Sequence, residues 1–192
     1  MKTIFFLVRH GEAEHNVRHI IASDVEGSRT GNIHLTDRGR LQIEERSKEL
    51  KHEKVDIIFH SPLLRTRETA EILASATGAP MKEDVRLHET TFGNWEGKPS
   101  ALFFQSHPSP QSRLETGADG VEGFRSTRER AASFLKDALR EFHGKTIVVV
   151  SHGDTLEILF GLLVRETLNE SIGNHRKAFA TGEMVRVEYV ES

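Results

Sequence analysis

The chain of 192 residues is long enough for one domain with a sizeable core. Its 36% hydrophobic and 29% charged residues exclude a disordered chain. The formal net charge of −3 argues against a general nucleic-acid binder, so an anion site needs a local cluster of positive groups. No run approaches the roughly 20 apolar residues of a membrane span. The absence of cysteine excludes disulfides and thiolate metal sites, and it agrees with a cytoplasmic location.

Short apolar runs and longer helical patterns alternate along the chain. Runs rich in β-branched and aromatic residues predict buried parallel strands at 3–8, 56–59 and 146–150. The spacing of apolar residues predicts helices over 37–51, 63–77, 123–142 and 154–165, and an edge strand over 184–190. In the first helix, Leu41 and Leu50 are expected to face inward. The alternation predicts an α/β fold, a three-layer α/β/α sandwich with a mostly parallel central sheet.

Residues 98–122 are predicted to be the irregular part of the chain, because they contain several prolines and few apolar residues. Leu102, Phe103 and Phe104 form the one apolar patch there. A loop of this length inside a compact domain is either a lid or simply mobile. No linker divides the sequence, so residues 1–192 are predicted to form a single domain with 98–122 as a lid-like insertion.

A guanidinium or an imidazole follows each of the predicted parallel strands. Arg9 and His10 follow the first strand, Arg65 follows the second and His152 follows the third. In open α/β sheets, ligands bind beyond the carboxyl ends of the strands. These four side chains are therefore expected to meet at one edge of the sheet and to form an anion site.

These residue types fit phosphoryl transfer. Arginine offers a planar fork of donors to phosphate oxygens, and the glycines after the histidines, Gly11 and Gly153, allow close approach of the backbone. A neutral imidazole can attack phosphorus to form a phosphohistidine, which splits one difficult displacement into two easier ones. No metal is required if the arginines neutralise the phosphoryl oxygens. Glu89 is one candidate for the proton donor, but spacing alone does not select it.

Five sequence motifs occur in the order found in a known family. The chain resembles the histidine phosphatase superfamily, also called phosphoglycerate mutase-like, over nearly its whole length. The motifs are Leu7–Glu12 followed by Asn16, Leu35–Gly39, Ser61–Ala70, Leu87–Glu89 with Phe92–Gly97, and Val149–Gly153.

The resemblance implies roles for particular residues. His10 is the nucleophile that becomes phosphorylated, and Glu89 protonates the leaving oxygen and then activates water. The phosphoryl oxygens are held by Arg9, Asn16, Arg65 and His152, with Gly153 in the same substrate-binding set. The resemblance implies no cofactor and no metal.

The sequence departs from the family pattern near the place where substrate should enter. Val121-Glu122-Gly123 stands where Gly-Glu-Ser is common, His34 where proline is common, and Ile20 where arginine is frequent. The identity of the substrate is therefore not transferred from relatives. The expected partner is a small phosphate monoester, with no nucleic acid and no membrane. The oligomeric state is not predicted.

Three alternatives to a phosphatase stay open. A phosphoglycerate mutase would return the phosphoryl group to another hydroxyl, although Trp95-Glu96-Gly97 is the phosphatase-like form of its motif. A non-catalytic phosphate-binding module is disfavoured because His10 and Glu89 are both present. A metallohydrolase could use His15 and His19, which lie four apart, although no His-Glu-x-x-His arrangement surrounds them.

Overall fold

A computed structural model describes residues 1–24, 32–173 and 179–190. A five-stranded sheet lies at the centre, with the strand order β3-β2-β4-β1-β5. Neighbouring strands from β3 to β1 run parallel, and β5 pairs antiparallel with β1 at one edge. The strands are β1 Lys2–Arg9, β2 Ile57–His60, β3 Met81–Glu83, β4 Thr146–Ser151 and β5 Met184–Val190.

Helices cover both faces of this sheet, as the alternation of strands and helices predicted. The described helices are α1 Glu14–Arg18, α2 Asp37–Ser47, α3 Leu64–Thr77, α4 Ser100–Ser106, α5 Phe124–Glu141, α6 Gly153–Leu163 and α7 Leu168–Gly173. In the part of the chain described, no helix combines the length and apolar character needed to cross a bilayer.

The side chains of β1 show why its central run, residues 4–8, is apolar at every position. Phe5 and Leu7 pack with α5 and α6 on one face, whereas Phe6 and Val8 pack with α2 and α3 on the other. Successive side chains of a strand point to opposite faces, so a strand covered on both sides needs no polar alternation. The predicted three-layer α/β/α sandwich is confirmed.

The first long helix differs from its prediction in extent and in orientation. It ends as an α-helix at Ser47 and continues as a 3₁₀ turn to Leu50, which is buried as predicted. Leu41 is 65% exposed, so the expectation that it faces inward is wrong. Ile43 is buried in its place, and two residues correspond to roughly 200° around a helix.

Residues 98–122 contain more regular structure than their composition predicted. They include α4 and a 3₁₀ turn at Pro110–Arg113. Phe103 is fully buried, and its ring lies 4.8 Å from the Phe92 ring and stacks 4.4 Å from the His107 ring. This tertiary packing stabilises a helix that the local composition does not predict.

Candidate active site

The ends of β1, β2 and β4 bring the predicted site residues to one edge of the sheet. β1 and β4 are neighbours, and the His10 backbone N–H donates to the Ser151 carbonyl at 3.1 Å. A cavity of about 320 Å³ opens at this edge. Its lining includes Arg9, His10, Asn16, Arg65, Glu89 and Gly153.

The partners of His10 determine which ring nitrogen carries its proton. Nδ1 lies 2.7 Å from the Gly11 carbonyl oxygen, which can only accept, so Nδ1 is protonated and Nε2 has the lone pair. Arg65 Nε donates to that Nε2 at 3.2 Å. Burial, followed by the charges of Arg65 and Arg9, holds the His10 pKa well below its usual value. His10 is therefore a neutral imidazole with Nε2 available as a nucleophile.

Close packing of backbone against backbone fixes the position of His10. A Cβ atom on Gly11 would lie 2.4 Å from the Gly39 carbonyl oxygen, and one on Gly39 would lie 2.0 Å from the Glu12 carbonyl oxygen. Both positions therefore require glycine. The close approach predicted for Gly11 is made to the first turn of α2.

Arg65 lies in the first turn of α3 and is 2% exposed. Its Nη2 donates to the Ala22 carbonyl at 2.8 Å and to His152 Nδ1 at 3.1 Å. Burial lowers the Arg65 pKa to about 10, so the group is still charged at neutral pH. Arg9 Nη1 donates to the Phe179 carbonyl. The inner end of the cavity, where β1, β2 and β4 end, therefore holds the positive charges of Arg9 and Arg65. The Arg9 Nε–H is buried and has no hydrogen-bond partner among the described residues.

His152 lies behind Arg65 and is fully buried. Its Nδ1 accepts from Arg65, so its Nε2 is protonated and donates to Ser61 Oγ at 2.8 Å. Both ring nitrogens thus bind protein groups, and this histidine orients the guanidinium. Direct contact between His152 and a phosphoryl oxygen stays a prediction.

A second buried histidine neighbours His10. The ring of His15 lies 5.5 Å from the ring of His10, and its Nε2 lies 3.1 Å from Asn16 Nδ2. Asn16 Oδ1 accepts from the Ala13 backbone N–H at 3.0 Å, which places α1 against the cavity. Burial, then the charges of Arg65 and Arg9, lowers the His15 pKa to about 2, so this ring is neutral.

The two histidines considered as a metal pair are placed differently along the backbone. His15 belongs to α1, while His19 follows its end with a left-handed φ of 52°. Within residues 1–24, 32–173 and 179–190, no group of three or more histidine, cysteine, aspartate or glutamate side chains is arranged to hold a metal ion.

Glu89 lines the same cavity and has a raised pKa of about 7. Burial is the main cause, and the Asp154 carboxylate adds to it. Arg9, Arg65 and the Thr90 backbone N–H, which lies 3.0 Å from Glu89 Oε1, act in the opposite direction. A carboxyl group with this pKa can give up and regain a proton near neutral pH.

Arg130 of α5 fixes the loop that carries Glu89, and the sequence analysis did not identify it. Arg130 Nη1 donates to the His88 carbonyl at 2.9 Å, and its Nε donates to Glu122 Oε1 at 2.9 Å. The same His88 carbonyl accepts from Thr155 Oγ1 at 2.7 Å. Arg130 is 42 residues from His88 in the chain, so no local spacing indicates the contact.

Glu96, in the Trp-Glu-Gly motif, fixes Ser23 and Asp24, which directly follow residues 20–22 in the cavity wall. Its carboxylate accepts from the Ser23 backbone N–H at 2.6 Å, from Ser23 Oγ at 2.7 Å and from the Asp24 backbone N–H at 3.1 Å. The neighbouring Ala22 carbonyl binds Arg65. The motif therefore positions a segment of the cavity wall that contacts Arg65.

A neutral histidine, two arginines and a carboxyl group of raised pKa, all at the carboxyl edge of a parallel sheet, define an enzyme of phosphate-ester chemistry. The model of the histidine phosphatase superfamily (branch 1) matches residues 5–191. The chain belongs to this superfamily, which confirms the resemblance and the predicted class of histidine-type phosphomonoesterases.

Two curated relatives illustrate the range of the family. Phosphoserine phosphatase 1 of Hydrogenobacter thermophilus is 28% identical, with 85% of this chain and 77% of the relative covered. The probable phosphoglycerate mutase GpmB of Escherichia fergusonii is 31% identical, with 97% and 85% covered.

Solved structures show the same fold. Bacillus stearothermophilus YhfR superposes with a TM-score of 0.80 at 24% identity, covering 96% of this chain and 90% of that one. A mycobacterial glucosyl-3-phosphoglycerate phosphatase also gives 0.80, at 20% identity, covering 98% and 91%.

Proposed function

We propose that this protein is a phosphatase that hydrolyses a phosphate monoester through a phosphohistidine formed on His10. Glu89 acts first as general acid and then as general base. The observation that carries the proposal is the placement of two groups in one cavity: a neutral imidazole whose Nε2 carries no proton, and a carboxyl group with a pKa of about 7. The partner is a small phosphate monoester.

In the first step the phosphoryl group binds Arg9 and Arg65, which both line the cavity. Arg65 then donates to phosphoryl oxygens instead of to His10 Nε2, which frees the lone pair to attack phosphorus. The bond between phosphorus and the ester oxygen breaks, and Glu89 gives its proton to that oxygen. Asn16 and Gly153 line the same end of the cavity, and His152 holds Arg65 in place.

In the second step the Glu89 carboxylate takes a proton from a water molecule, whose oxygen attacks phosphorus. The bond between His10 Nε2 and phosphorus breaks, phosphate leaves, and both residues return to their starting states. The two guanidinium groups neutralise the phosphoryl oxygens throughout, so this scheme uses no metal ion and no cofactor.

A phosphoglycerate mutase is the second candidate, because a relative with 31% identity carries that name. In a mutase the phosphoryl group passes from His10 to another hydroxyl of the substrate, and Glu89 takes a proton from that hydroxyl. The two functions therefore share the first step and differ only in the acceptor.

One experiment separates these outcomes. The purified protein is incubated with a panel of phosphate esters, including phosphoserine and phosphoglycerate, in the presence of a chelator, and both free phosphate and isomerised ester are measured. We expect free phosphate as the product and a phosphorylated peptide containing His10 after quenching in alkali. Isomerised ester in excess of free phosphate would establish the mutase. Turnover without a phosphorylated His10 peptide would rule out the mechanism.

The whole chain is proposed to form one cytoplasmic domain in which residues 98–122 are a lid-like insertion over the cavity. Arg113 of this insertion pairs with Asp154 at 2.7 Å, beside the cavity, and Ser100 and Phe104 contribute to the cavity lining. These contacts support a covering role for the insertion.

A further inference from the structure

The outer end of the cavity is mostly apolar. Beyond the phosphate-binding groups, its described lining consists of the apolar residues Ile20, Ile21, Ala22, Phe92 and Phe104, together with His19 and Ser100. Among the described lining residues, the only arginines are Arg9 and Arg65, both at the inner end, and no lysine is present. The lining carboxylates are Glu89 and Asp154. Among the described residues, the outer end therefore offers a substrate carboxylate no arginine or lysine, and its polar groups are those of His19 and Ser100.

We call this outer end the apolar mouth of the cavity. It is held in place by backbone hydrogen bonds between two separate segments. The Ile21 N–H donates to the Lys98 carbonyl at 2.9 Å, and the Gly97 N–H donates back to the Ile21 carbonyl at 3.0 Å. The Ser100 N–H donates to the His19 carbonyl at 2.9 Å. The residues after α1 and the start of α4 thus form one wall before any substrate binds.

Phe104 is the exposed apolar member of this wall. It is 57% exposed, although the helix that carries it is anchored by the fully buried Phe103 beside it, whose ring lies 5.3 Å from the Phe104 ring. A large apolar side chain that lines a catalytic cavity, is fixed by its neighbours and is open to solvent is suited to contact an apolar ligand. Leu102 of the same helix is 48% exposed and does not line the cavity.

We infer that the mouth selects phosphate monoesters whose alcohol is uncharged and apolar, such as an aromatic or branched aliphatic alcohol, and that Phe104 and Ile20 determine this specificity. The inference rests on the proposed function, because the phosphoryl group must occupy the inner end for the alcohol to reach the mouth. Carboxylate-bearing esters of the phosphoserine or phosphoglycerate type are then poor substrates.

The test compares phenethyl phosphate with ethyl phosphate, since both release primary alcohols and differ mainly in the apolar group. We expect the wild-type protein to favour phenethyl phosphate by at least about tenfold in kcat/KM, the effect of a small apolar group in a matching pocket. Phe104→Ala should bring this ratio close to one. Leu102→Ala, the matched control on the same helix, should retain the wild-type ratio and activity.

A second variant tests the charge argument. Ile20→Arg places a cation in the mouth and should raise kcat/KM for phosphoglycerate relative to ethyl phosphate, while it lowers the preference for phenethyl phosphate. Wild-type kcat/KM for phosphoglycerate or phosphoserine that equals or exceeds that for phenethyl phosphate would overturn the inference. An unchanged phenethyl-to-ethyl ratio in Phe104→Ala would overturn the role of that residue.

Binding measurements separate this inference from the proposed function. Phenethylphosphonate and methylphosphonate cannot be hydrolysed, and calorimetry gives their affinities without turnover. Tighter binding of phenethylphosphonate that is lost in Phe104→Ala and kept in Leu102→Ala supports the apolar mouth. If, in addition, no ester releases phosphate, the proposed function fails while the inference about the mouth stands. Equal affinities, together with release of phosphate from nitrophenyl phosphate, would defeat this inference and leave the proposed function standing.

Discussion

The two ends of the active-site cavity are built in different ways. The inner end follows β1, β2 and β4, and its polar atoms are held by buried hydrogen bonds such as those of His10 and Arg65. The outer end comes from the residues after α1, from α4 and from Phe92, and it is mostly apolar with an exposed aromatic ring. The sheet thus fixes the groups that would act on phosphorus, whereas the outer wall can change without disturbing the sheet. The proposed chemistry and the proposed selection therefore depend on largely separate parts of the chain.

Replacement of the nucleophile should have the largest effect. His10→Ala removes the group that attacks phosphorus, so turnover of nitrophenyl phosphate should fall at least about a thousandfold while the fold is retained. Thermal unfolding checks the fold, and His52→Ala, at an exposed histidine, is the matched control. Retention of about a tenth of wild-type turnover by a well-folded His10→Ala protein would refute the assignment of the inner end.

Loss of the proton donor should depend on the leaving group. Glu89→Gln should lower kcat/KM for ethyl phosphate by about 10²–10⁴-fold, because an alkoxide leaves poorly without a proton. Nitrophenyl phosphate should lose much less, since its leaving group is a weak base. The control is Glu129→Gln, at an exposed glutamate of α5. Equal losses with both esters would argue against the acid role.

The pH profile follows from the same two groups. Glu89 has a pKa of about 7 and must be protonated to act as acid, so kcat/KM for ethyl phosphate should fall about tenfold per pH unit above that value. The His10 pKa lies well below the ordinary 6.5, so its neutral form persists in mild acid and activity should stay level there. Glu89→Gln should remove the alkaline decline. A steep loss on mild acidification would contradict a neutral His10.

Substitution of Arg130, which anchors the loop that carries Glu89, should lower activity less than substitution of His10 or Glu89. Arg130→Met leaves Glu122 buried without its partner, which should cost roughly 3 kcal/mol of unfolding free energy. Arg130→Lys keeps the charge but loses the forked contacts, and kcat should fall about tenfold with little change in KM. The loss should be greater for ethyl than for nitrophenyl phosphate, because the displaced group is the acid. Arg125→Lys, at an exposed ion pair of the same helix, is the control.

A purely structural role for Arg130 would give a different result. Destabilisation without any leaving-group dependence, in Arg130→Lys protein that is still fully folded at the assay temperature, would show that the contact to His88 does not position Glu89.

The inner end of the cavity could be predicted because its residues follow strands that the sequence marks strongly. The run Ile4–Val8 is apolar throughout, so the position of His10 after a buried strand is evident from the sequence alone. Arg65 and His152 follow in the same way. Parallel strands place their carboxyl ends at the same edge of the sheet. This rule predicts that the three distant segments lie close together, without any knowledge of their tertiary contacts.

Other features depend on contacts that no local pattern indicates. β3 is a short strand of mostly polar, exposed residues, Met81–Glu83, and among the described strands it pairs only with β2. Glu89 has the spacing of an ordinary turn carboxylate, and its raised pKa arises from burial and from Asp154 on another element. α4 depends on the burial of Phe103 among distant rings. Each of these features depends on tertiary contacts, so the local sequence does not predict it. Only Glu89 is singled out, and this comes from the family resemblance.

The hydrogen bond from His10 Nδ1 to the Gly11 carbonyl also determines the regiochemistry expected of the proposed covalent intermediate. Only Nε2 can accept the phosphoryl group, so the trapped enzyme should be the tele isomer of phosphohistidine. Antibodies that discriminate tele from pros isomers should therefore label it with the first specificity and not with the second.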